Sequence, residues 1–349
     1  MASPVTAYSA LINAAPIPCV LVGGDERLIA INPAAEALFG TGLVSRHFVA
    51  ALRQPALFEC LDKVLAGRAD TAETRFNTSE GSREITFAVT AARVLHETEP
   101  AVLVSFVDTT DLQEAGQMRR DFVANVSHEL RTPLTALLGF IETLRGAARD
   151  DPVARERFLH IMEREAGRMN RLVSDLLSLS RVESQERQRP QDSADIPAIL
   201  RSVVSSLAPI AEEAGSEITL NGAERDVWVP GDADQLAQVF SNLVENALKY
   251  GGPGARVEVS LTGPEPAPSL RSDAITVTVG DDGDGFDPIH IPRLTERFYR
   301  VDNHRSREMG GTGLGLAIVK HIVARHRGRL KIESAPGDGA RFSIVLPAP

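Results

Sequence analysis

Between Met118 and Leu144, apolar residues recur at Phe122, Val126, Leu130, Leu134, Leu137, Ile141 and Leu144, in steps of three and four. This spacing predicts one long helix with a single buried seam. At about 100° per residue, His128 lies about 200° round from both Val126 and Leu130. The imidazole is therefore expected outside the seam, facing solvent on a stiff rod. Glu129 stands beside it, and Thr132 follows one turn later on the same face. Pro133 has no N–H for the Glu129 carbonyl and its ring crowds that carbonyl, which predicts a bend one turn past the histidine. A lone surface histidine ordinarily does nothing, so the meaning of His128 depends on the rest of the chain.

The same periodicity returns after Asp150-Asp151-Pro152, a turn and helix start. The second helix is expected to reach about Glu183, with a seam of Phe158, Ile161, Met162, Met169, Leu172, Val173, Leu176 and Leu179. Two long helices joined by a short connection form an antiparallel hairpin. A hairpin cannot cover both seams by itself. Each large aliphatic left exposed forfeits about 1.5–3 kcal/mol. Half a dozen forfeit on the order of 10 kcal/mol, comparable with the whole stability of a domain. A second copy would bury them in a four-helix bundle. The expectation is a homodimer with His128 on the outer surface of the bundle.

Composition narrows the class. A chain of 349 residues allows two or three domains. Its net charge of −10 argues against nucleic acid as a direct partner, because phosphate binding needs a basic face. Cys19 and Cys60 are the only cysteines and form no CxxC, which excludes a disulfide scaffold and a cysteine zinc site and fits a reducing compartment. No run of eighteen apolar residues occurs, and the best stretch, Ala14 to Val22, is broken by Pro16 and Pro18. The N-terminus lacks a basic n-region. Neither a signal peptide nor a membrane span is expected. The expected location is cytoplasmic, with membrane association only through partners. Without secretion, the glycosylation patterns at Asn77 and Asn125 are empty.

The first block runs to about Asp111. Strands are expected at Cys19 to Val22 and Leu28 to Ile31, around the turn Gly23-Gly24-Asp25-Glu26. A small helix, Ala34 to Phe39, follows Asn32-Pro33 and closes at Gly40, with further short helices after it. Later strands at Ile85 to Val94 and Ala101 to Val107 close on Asp108-Thr109-Thr110. This order predicts an α+β domain with an antiparallel sheet. It resembles a PAS sensor domain in Val20-Leu21-Val22, Ile29 to Glu36 and the terminal Asp-Thr-Thr. Such a domain can hold a ligand or a packed core, and the core is the favoured reading. His47 is read as a satisfied or solvated histidine rather than a haem ligand, and both cysteines as small buried hydrophobes.

After the hairpin, Ser184 to Ser193 is polar and reads as a linker. Helices follow at Ile196 to Ala214, Asp234 to Lys249 and Leu314 to His326. Strands are expected at Glu217 to Leu220, Val227 to Val229, Arg256 to Leu261, Ala274 to Val279, Arg329 to Ser334 and Ala340 to Leu346. Pro264 to Ser272 is expected as a loose loop, and Asp281 to Gly311 as a long irregular stretch. The whole reads as one α/β sandwich.

Three motifs fall in this sandwich. Asn242, Asn246 and Lys249 share a helix face, offering two amides and an ammonium. Amide oxygens suit Mg2+ and a lysine suits phosphate. An exposed polar helix face is the plain alternative. Asp281-Asp282-Gly283-Asp284-Gly285 follows a buried strand; a carboxylate there can accept from an exocyclic amine such as that of adenine, while the glycines let the backbone turn tightly. A simple Asp-Gly turn remains open, but the calcium-loop spacing is not met. Gly310-Gly311-Thr312-Gly313-Leu314-Gly315-Leu316 precedes a helix, where free N–H groups make an anion site. It is neither a Walker loop nor a dinucleotide fingerprint. The irregular segment Val301 to Met309 is read as a mobile lid. A His-Glu zinc protease is dismissed, because Thr132 stands where a second histidine is needed.

Taken in order, His128-Glu129-Leu130-Arg131-Thr132-Pro133-Leu134, the Asn242 to Tyr250 helix, the Asp281 turn, Arg297-Phe298-Tyr299-Arg300 and the Gly311 to Leu316 loop resemble the sensor histidine kinases. The resemblance covers about residues 112 to 349. Arg119 to Val126 is similar to the phosphate-sensing branch of that family. The resemblance implies a multidomain fold: a PAS-like sensor over 1–111, a phosphoacceptor hairpin over 112–187 that dimerises to a four-helix bundle, and an ATP-binding α/β sandwich of the GHKL (Bergerat) type over 194–349. It implies ATP and Mg2+ as cofactors and a response regulator receiver domain as partner. His128 is the implied phosphoacceptor and Glu129 its general base, with Thr132 orienting a water for dephosphorylation of the regulator. Asn246 is implied to coordinate Mg2+, while Asn242, Lys249 and Tyr250 contact nucleotide. Asp281 is implied to bind adenine, with Gly283 and Gly285 shaping its turn. Phe298 and Arg300 are implied to couple the lid to the bundle. Gly311, Thr312, Gly313, Leu314 and Gly315 form the phosphate loop. Asp282 and Asp284 stand where the family often has Asn and Pro, and only tuning is expected from them. A clamp ATPase of the same nucleotide fold, a PAS interaction module and a kinase for a redox or metabolic signal are the alternatives.

Overall fold

The computed structural model describes residues 10–81, 83–96, 99–186, 188–268, 270, 272–301 and 311–348. The chain divides into two compact units, Met1–Ala124 and Asn125–Pro349.

The first unit opens with a helical turn, α1, at 10–13. Strands β1 (Cys19–Gly23) and β2 (Leu28–Ile31) form a hairpin. Helices α2 (Pro33–Phe39), α3 (Phe48–Ala51) and α4 (Pro55–Leu65) follow, then β3 (Thr71–Glu80), β4 (Arg83–His96) and β5 (Glu99–Asp108). The five strands form one antiparallel sheet in the order β2-β1-β5-β4-β3. The Asn32-Pro33 pair is explained by its bonds. Buried Asn32 accepts from Cys19 N–H and Ala35 N–H, both at 2.9 Å, and donates to the carbonyls of Ile12, Ala15 and Ile17. It therefore caps α2 and ties α1 to β1 at once. Phe39, Phe76, Phe87 and Phe106 meet edge-on in the interior, which is a packed core. His47 is half exposed and caps α3, with Nε2 2.8 Å from Glu26. Cys19 and Cys60 are buried free thiols, and burial pushes both pKa values up. At the end of β5, Asp108 accepts from both the N–H and the hydroxyl of Thr110, at 2.8 and 2.6 Å.

Helix α5 spans Thr110–Arg145 and continues through Pro133. After a turn, Asp151 caps α6 (Pro152–Gln185) by accepting from the N–H groups of Val153 and Ala154, with Pro152 in the first turn, where its missing N–H costs nothing. The hairpin's inner side pairs Phe140 with Phe158 at 5.3 Å. Its other side leaves Leu134, Leu138, Ile141, Leu159, Val173 and Leu177 exposed.

The sandwich comprises β6 (Ser193–Asp195), α7 (Ile196–Glu213), β7 (Glu217–Asn221), β8 (Trp228–Pro230), α8 (Ala233–Gly251), β9 (Arg256–Ala267), β10 (Ser272–Asp281), a 3-10 helix (Pro288–Arg293), α9 (Gly315–Arg325), β11 (Arg329–Ser334) and β12 (Ala340–Pro347). The main sheet runs β11-β12-β10-β9-β7, with β7 parallel to β9 and the other pairs antiparallel. Helices α7, α8 and α9 bury full apolar stripes; Leu236, Val239, Phe240, Leu243 and Val244 of α8 are all completely enclosed.

Four local expectations are corrected. The Pro264 to Ser272 loop is largely strand: β9 reaches Ala267 and pairs Ala267 with Ser272, Pro266 with Asp273 and Glu265 with Ala274. Strand β7 stops pairing at Asn221 opposite Ser260, so a proline beyond that point of β9 breaks no ladder bond to β7. Strand β3 was not foreseen, because Thr71–Glu80 is mostly polar and carries few apolar residues to mark a face. The expected linker loses its ends to α6 and β6, and the irregular stretch after Asp281 contains the 3-10 helix. The expected lid, Val301 to Met309, lies outside the described residues beyond Val301.

Candidate nucleotide and phosphoacceptor site

Helix α8 is anchored before its functional face begins. Asp232 caps it by accepting from Gln235 N–H at 3.2 Å. The Asp232 N–H in turn donates to Nε2 of fully buried His326, whose Nδ1 faces the Ile322 carbonyl at 2.7 Å. Burial pushes the His326 pKa below its ordinary value. This bond fixes α8 against the end of α9. On the face so positioned, Asn242 Nδ2 reaches the Gly315 carbonyl at 3.5 Å, joining the amide face to the glycine loop. Asn246 lies one turn on and is partly buried. Lys249 ends the face with Nζ 5.1 Å from the Tyr250 ring. Its pKa falls to about 8, first through burial and then through the nearby Arg300 and Arg171, with Glu245 pulling the other way and Arg168 adding to the fall. Crowded cations that repel one another describe a place prepared for an anion.

The Asp281 turn closes the other wall. Asp281 ends β10, its carboxylate accepts from Gly283 N–H at 3.0 Å, and burial raises its pKa. A Cβ on Gly283 would stand 2.7 Å from Gly251 Cα and 2.9 Å from the Tyr250 carbonyl. Only glycine lets the turn lie so close to the end of α8. Gly285 has φ +61°, and a Cβ there would lie 2.1 Å from the Ala335 carbonyl. Asp282 has a definite structural task, where only tuning was expected. It accepts from Arg256 N–H at 2.7 Å and from Arg256 Nε at 3.0 Å, fastening the turn to the start of β9.

The glycine loop is held from two sides. Gly313 has φ +73° and Phe298 has φ +65°, a conformation rare for an aromatic residue. Phe298 N–H donates to the Gly313 carbonyl at 2.8 Å, and a Cβ on Gly313 would stand 2.9 Å from Phe298 Cα. Arg300 donates to the Gly311 carbonyl at 2.5 Å. Thr312 donates to Asp175 of α6 at 2.7 Å and accepts from Leu314 N–H at 3.3 Å. Leu314 is buried and Gly315 begins α9.

The hairpin supplies the remaining wall. His128 is exposed, as the seam predicts. Thr132 donates to the His128 carbonyl at 3.1 Å, which leaves its hydroxyl oxygen able to accept. Glu129 follows His128 in the chain, with Oε2 2.5 Å from Arg168 of α6 and 3.5 Å from Arg300. Pro133 is buried beside Glu129, Arg168, Met169, Leu172 and Thr312. Farther along α6, Ser178 bonds Gln238, Glu183 pairs with Arg297, and Glu186 meets His321 at 2.7 Å. Glu129 thus joins the hairpin to the Arg300 segment. Sequence reasoning missed Arg168, Arg171 and Asp175. Their spacing of three and four along α6, flanking the apolar seam, was the available signal.

The residues fit a nucleoside triphosphate with a divalent cation. Among the described residues, no group of three or more His, Cys, Asp or Glu can hold a metal. A cation at Asn246 would therefore depend on phosphate oxygens, the usual arrangement for Mg2+.

Residues 231–349 match the histidine kinase-, DNA gyrase B- and HSP90-like ATPase family, 118–185 the His Kinase A (phospho-acceptor) domain, and 7–74 the PAS domain. The chain is 42% identical over 236 residues to the phosphate regulon sensor protein PhoR of Pseudomonas aeruginosa, covering 68% of this chain and 52% of that protein. It is 38% identical over 258 residues to the sensor-like histidine kinase SenX3 of Mycobacterium tuberculosis, covering 74% of this chain and 61% of the relative. The chain thus spans between half and two thirds of these relatives' length. In fold it is similar to histidine kinase ThkA in a crystal structure with response regulator protein TrrA, with a TM-score of 0.53 at 20% identity over 98% of both chains.

Proposed function

From the PAS, phosphoacceptor and ATPase domains that make this chain a member of the sensor histidine kinases, we propose that it phosphorylates His128 from ATP and passes the phosphoryl group to an aspartate of a response regulator receiver domain. The observation that carries this reading is the junction of two features. An anion-seeking cluster of Lys249 and Arg300 lies beside Arg171 and Arg168, and Arg300 and Arg168 both meet the carboxylate next to His128.

Asp281 accepts from the adenine amine, in a turn that Gly283 and Gly285 allow to approach closely. Asn242, Lys249 and Tyr250 line the nucleotide, and the Gly311 to Gly315 backbone holds its phosphates at the start of α9. Asn246 would hold Mg2+, which would supply charge neutralisation to the phosphates. One imidazole nitrogen of His128 attacks the γ-phosphorus, the bond to the bridging oxygen breaks and ADP leaves. Glu129 accepts the imidazole proton. In the second step the P–N bond breaks as an aspartate oxygen of the regulator takes the phosphorus, and the ring regains a proton. Thr132, with acceptor capacity left on its hydroxyl, orients a water for the phosphatase reaction. The working unit is a homodimer whose contact is the exposed apolar side of the hairpin, with domains over 1–111, 112–187 and 194–349. Similarity to the phosphate regulon sensor supports phosphate starvation as the signal, and phosphotransfer profiling against the host's receiver domains checks the partner.

The direct test uses γ-labelled ATP. Wild-type protein is expected to gain acid-labile phosphate, and His128→Gln none; label retained by that variant would sink the assignment.

A further inference from the structure

Glu129 is tied on one side to its own hairpin and on the other to the Arg300 segment. Arg168 Nη2 lies 2.5 Å from Glu129 Oε2, and the two side chains are only 13% and 12% exposed. Arg300 Nη2 approaches the same oxygen at 3.5 Å while bonding the Gly311 carbonyl at 2.5 Å. The two guanidinium contacts differ in kind. Arg168 sits on α6, the helix packed against α5, so its bond to Glu129 is internal to the hairpin. Arg300 belongs to the segment that carries Phe298 and the glycine loop.

We propose that Arg168 is a positioning residue for histidine phosphorylation, restricting the carboxylate of Glu129, the residue next to His128 in sequence, to one orientation. The proposal rests on Glu129 acting as the base. A glutamate side chain has three rotatable bonds. A base must meet its proton within hydrogen-bond reach, and a short charge-assisted bond from a nearly buried arginine removes most of that freedom. Arg168 is itself steadied by Glu165 one turn earlier, at 3.8 Å. The Arg300 contact is longer, and that guanidinium stands in the cation group around Lys249 where a triphosphate would draw it. Glu129 then keeps Arg168 as its hairpin partner during the reaction. Two other roles would give the same coordinates: a strut between helices, or a direct phosphate contact. They differ in kinetics. A strut acts on stability, and a phosphate contact on the KM for ATP, whereas a positioning residue acts on kcat and only through Glu129.

The experiment is a double-mutant cycle on the full chain, with initial rates of phosphohistidine formation over a range of ATP concentrations. Melting temperatures and binding of a fluorescent ATP analogue are measured on the same samples. Glu129→Gln is expected to lower kcat about 100-fold. Arg168→Gln is expected to lower it about tenfold or more, with KM for ATP within about twofold of wild type, and Arg168→Lys to recover part of the loss. In the Glu129→Gln background, Arg168→Gln should cost nothing further. A tenfold loss persisting there, or a loss confined to KM, overturns the role of Arg168 while leaving Glu129 as the base. Wild-type kcat in Glu129→Gln would instead remove the base itself. If Arg168→Gln does not fold, Arg168→Lys carries the same cycle, and a kcat equal to wild type overturns the proposal.

Discussion

Lys249 shows how single residues in the site are set by their neighbours. Its pKa of about 8 reflects burial and the surrounding arginines, so the ammonium begins to lose its proton just above neutrality. A bound triphosphate favours the charged form and raises that pKa. Nucleotide binding should therefore take up a proton near pH 8 to 9, and affinity should weaken as pH rises through that range. Calorimetry in buffers of different ionisation enthalpy measures the uptake directly, and Lys249→Met should abolish it. His326 gives the opposite lever, on stability. Its pKa is lowered in the fold, because burial disfavours the charged ring. The unfolded chain binds a proton below its ordinary value of about 6.5, so stability present above that pH is lost as pH falls toward the lower folded value. Urea midpoints of the wild type should drop between pH 7 and pH 5 more steeply than those of His326→Gln. The sequence indicated Asp281, Asn242 and the glycines through their spacing, but not Asp282 or His326. A carboxylate that bonds Arg256, and a histidine that bonds Asp232, use partners 26 and 94 positions away, and no local pattern reports such pairs.

At the scale of elements, period and caps carried most of the information. Both hairpin helices, the α2 start at Asn32-Pro33, and helices α7, α8 and α9 all lie where apolar spacing and capping residues put them. Elements went unseen where that signal is weak. Strand β3 is nearly all polar, and β9 continues across prolines that turn residues had suggested would end it. Pro133 is buried against Met169, Leu172 and Thr312, and the helix continues through it. The hairpin leaves Leu138 55% and Leu177 58% exposed, too much apolar surface for two isolated helices to leave in water. Leu138→Glu combined with Leu177→Glu should shift the chain from dimer to monomer in sedimentation and lower phosphorylation of His128. A dimer of unchanged affinity would place the contact elsewhere.

At the scale of the second unit, α6 carries much of the contact with the ATPase part. Asp175, Ser178, Glu183 and Glu186 meet Thr312, Gln238, Arg297 and His321 in turn. Polar contacts at 2.5 to 2.7 Å across partly exposed surfaces are individually weak, but they form a row that fixes one docking register. Glu183→Ala with Glu186→Ala should loosen it. Amide exchange in α9 and in the glycine loop should rise, while the melting temperature falls by only a few degrees. Unchanged exchange would show that apolar packing alone holds the docked arrangement.

The sequence alone marked the long helices and most strands, the expectation that the hairpin needs a partner surface, and the outward face of His128. Those features follow from local spacing and from the cost of exposed apolar area. It also marked the amide helix, the Asp281 turn and the glycine loop, because each needs particular residue types within a few positions. The tertiary structure decided what faces what. It set Glu129 between Arg168 and Arg300, Thr312 on Asp175, and Gly313 under Phe298. Partners separated by 39, 171 and 137 positions are chosen by packing, since charge complementarity across a fold depends on where the backbone brings the chains together, not on their order.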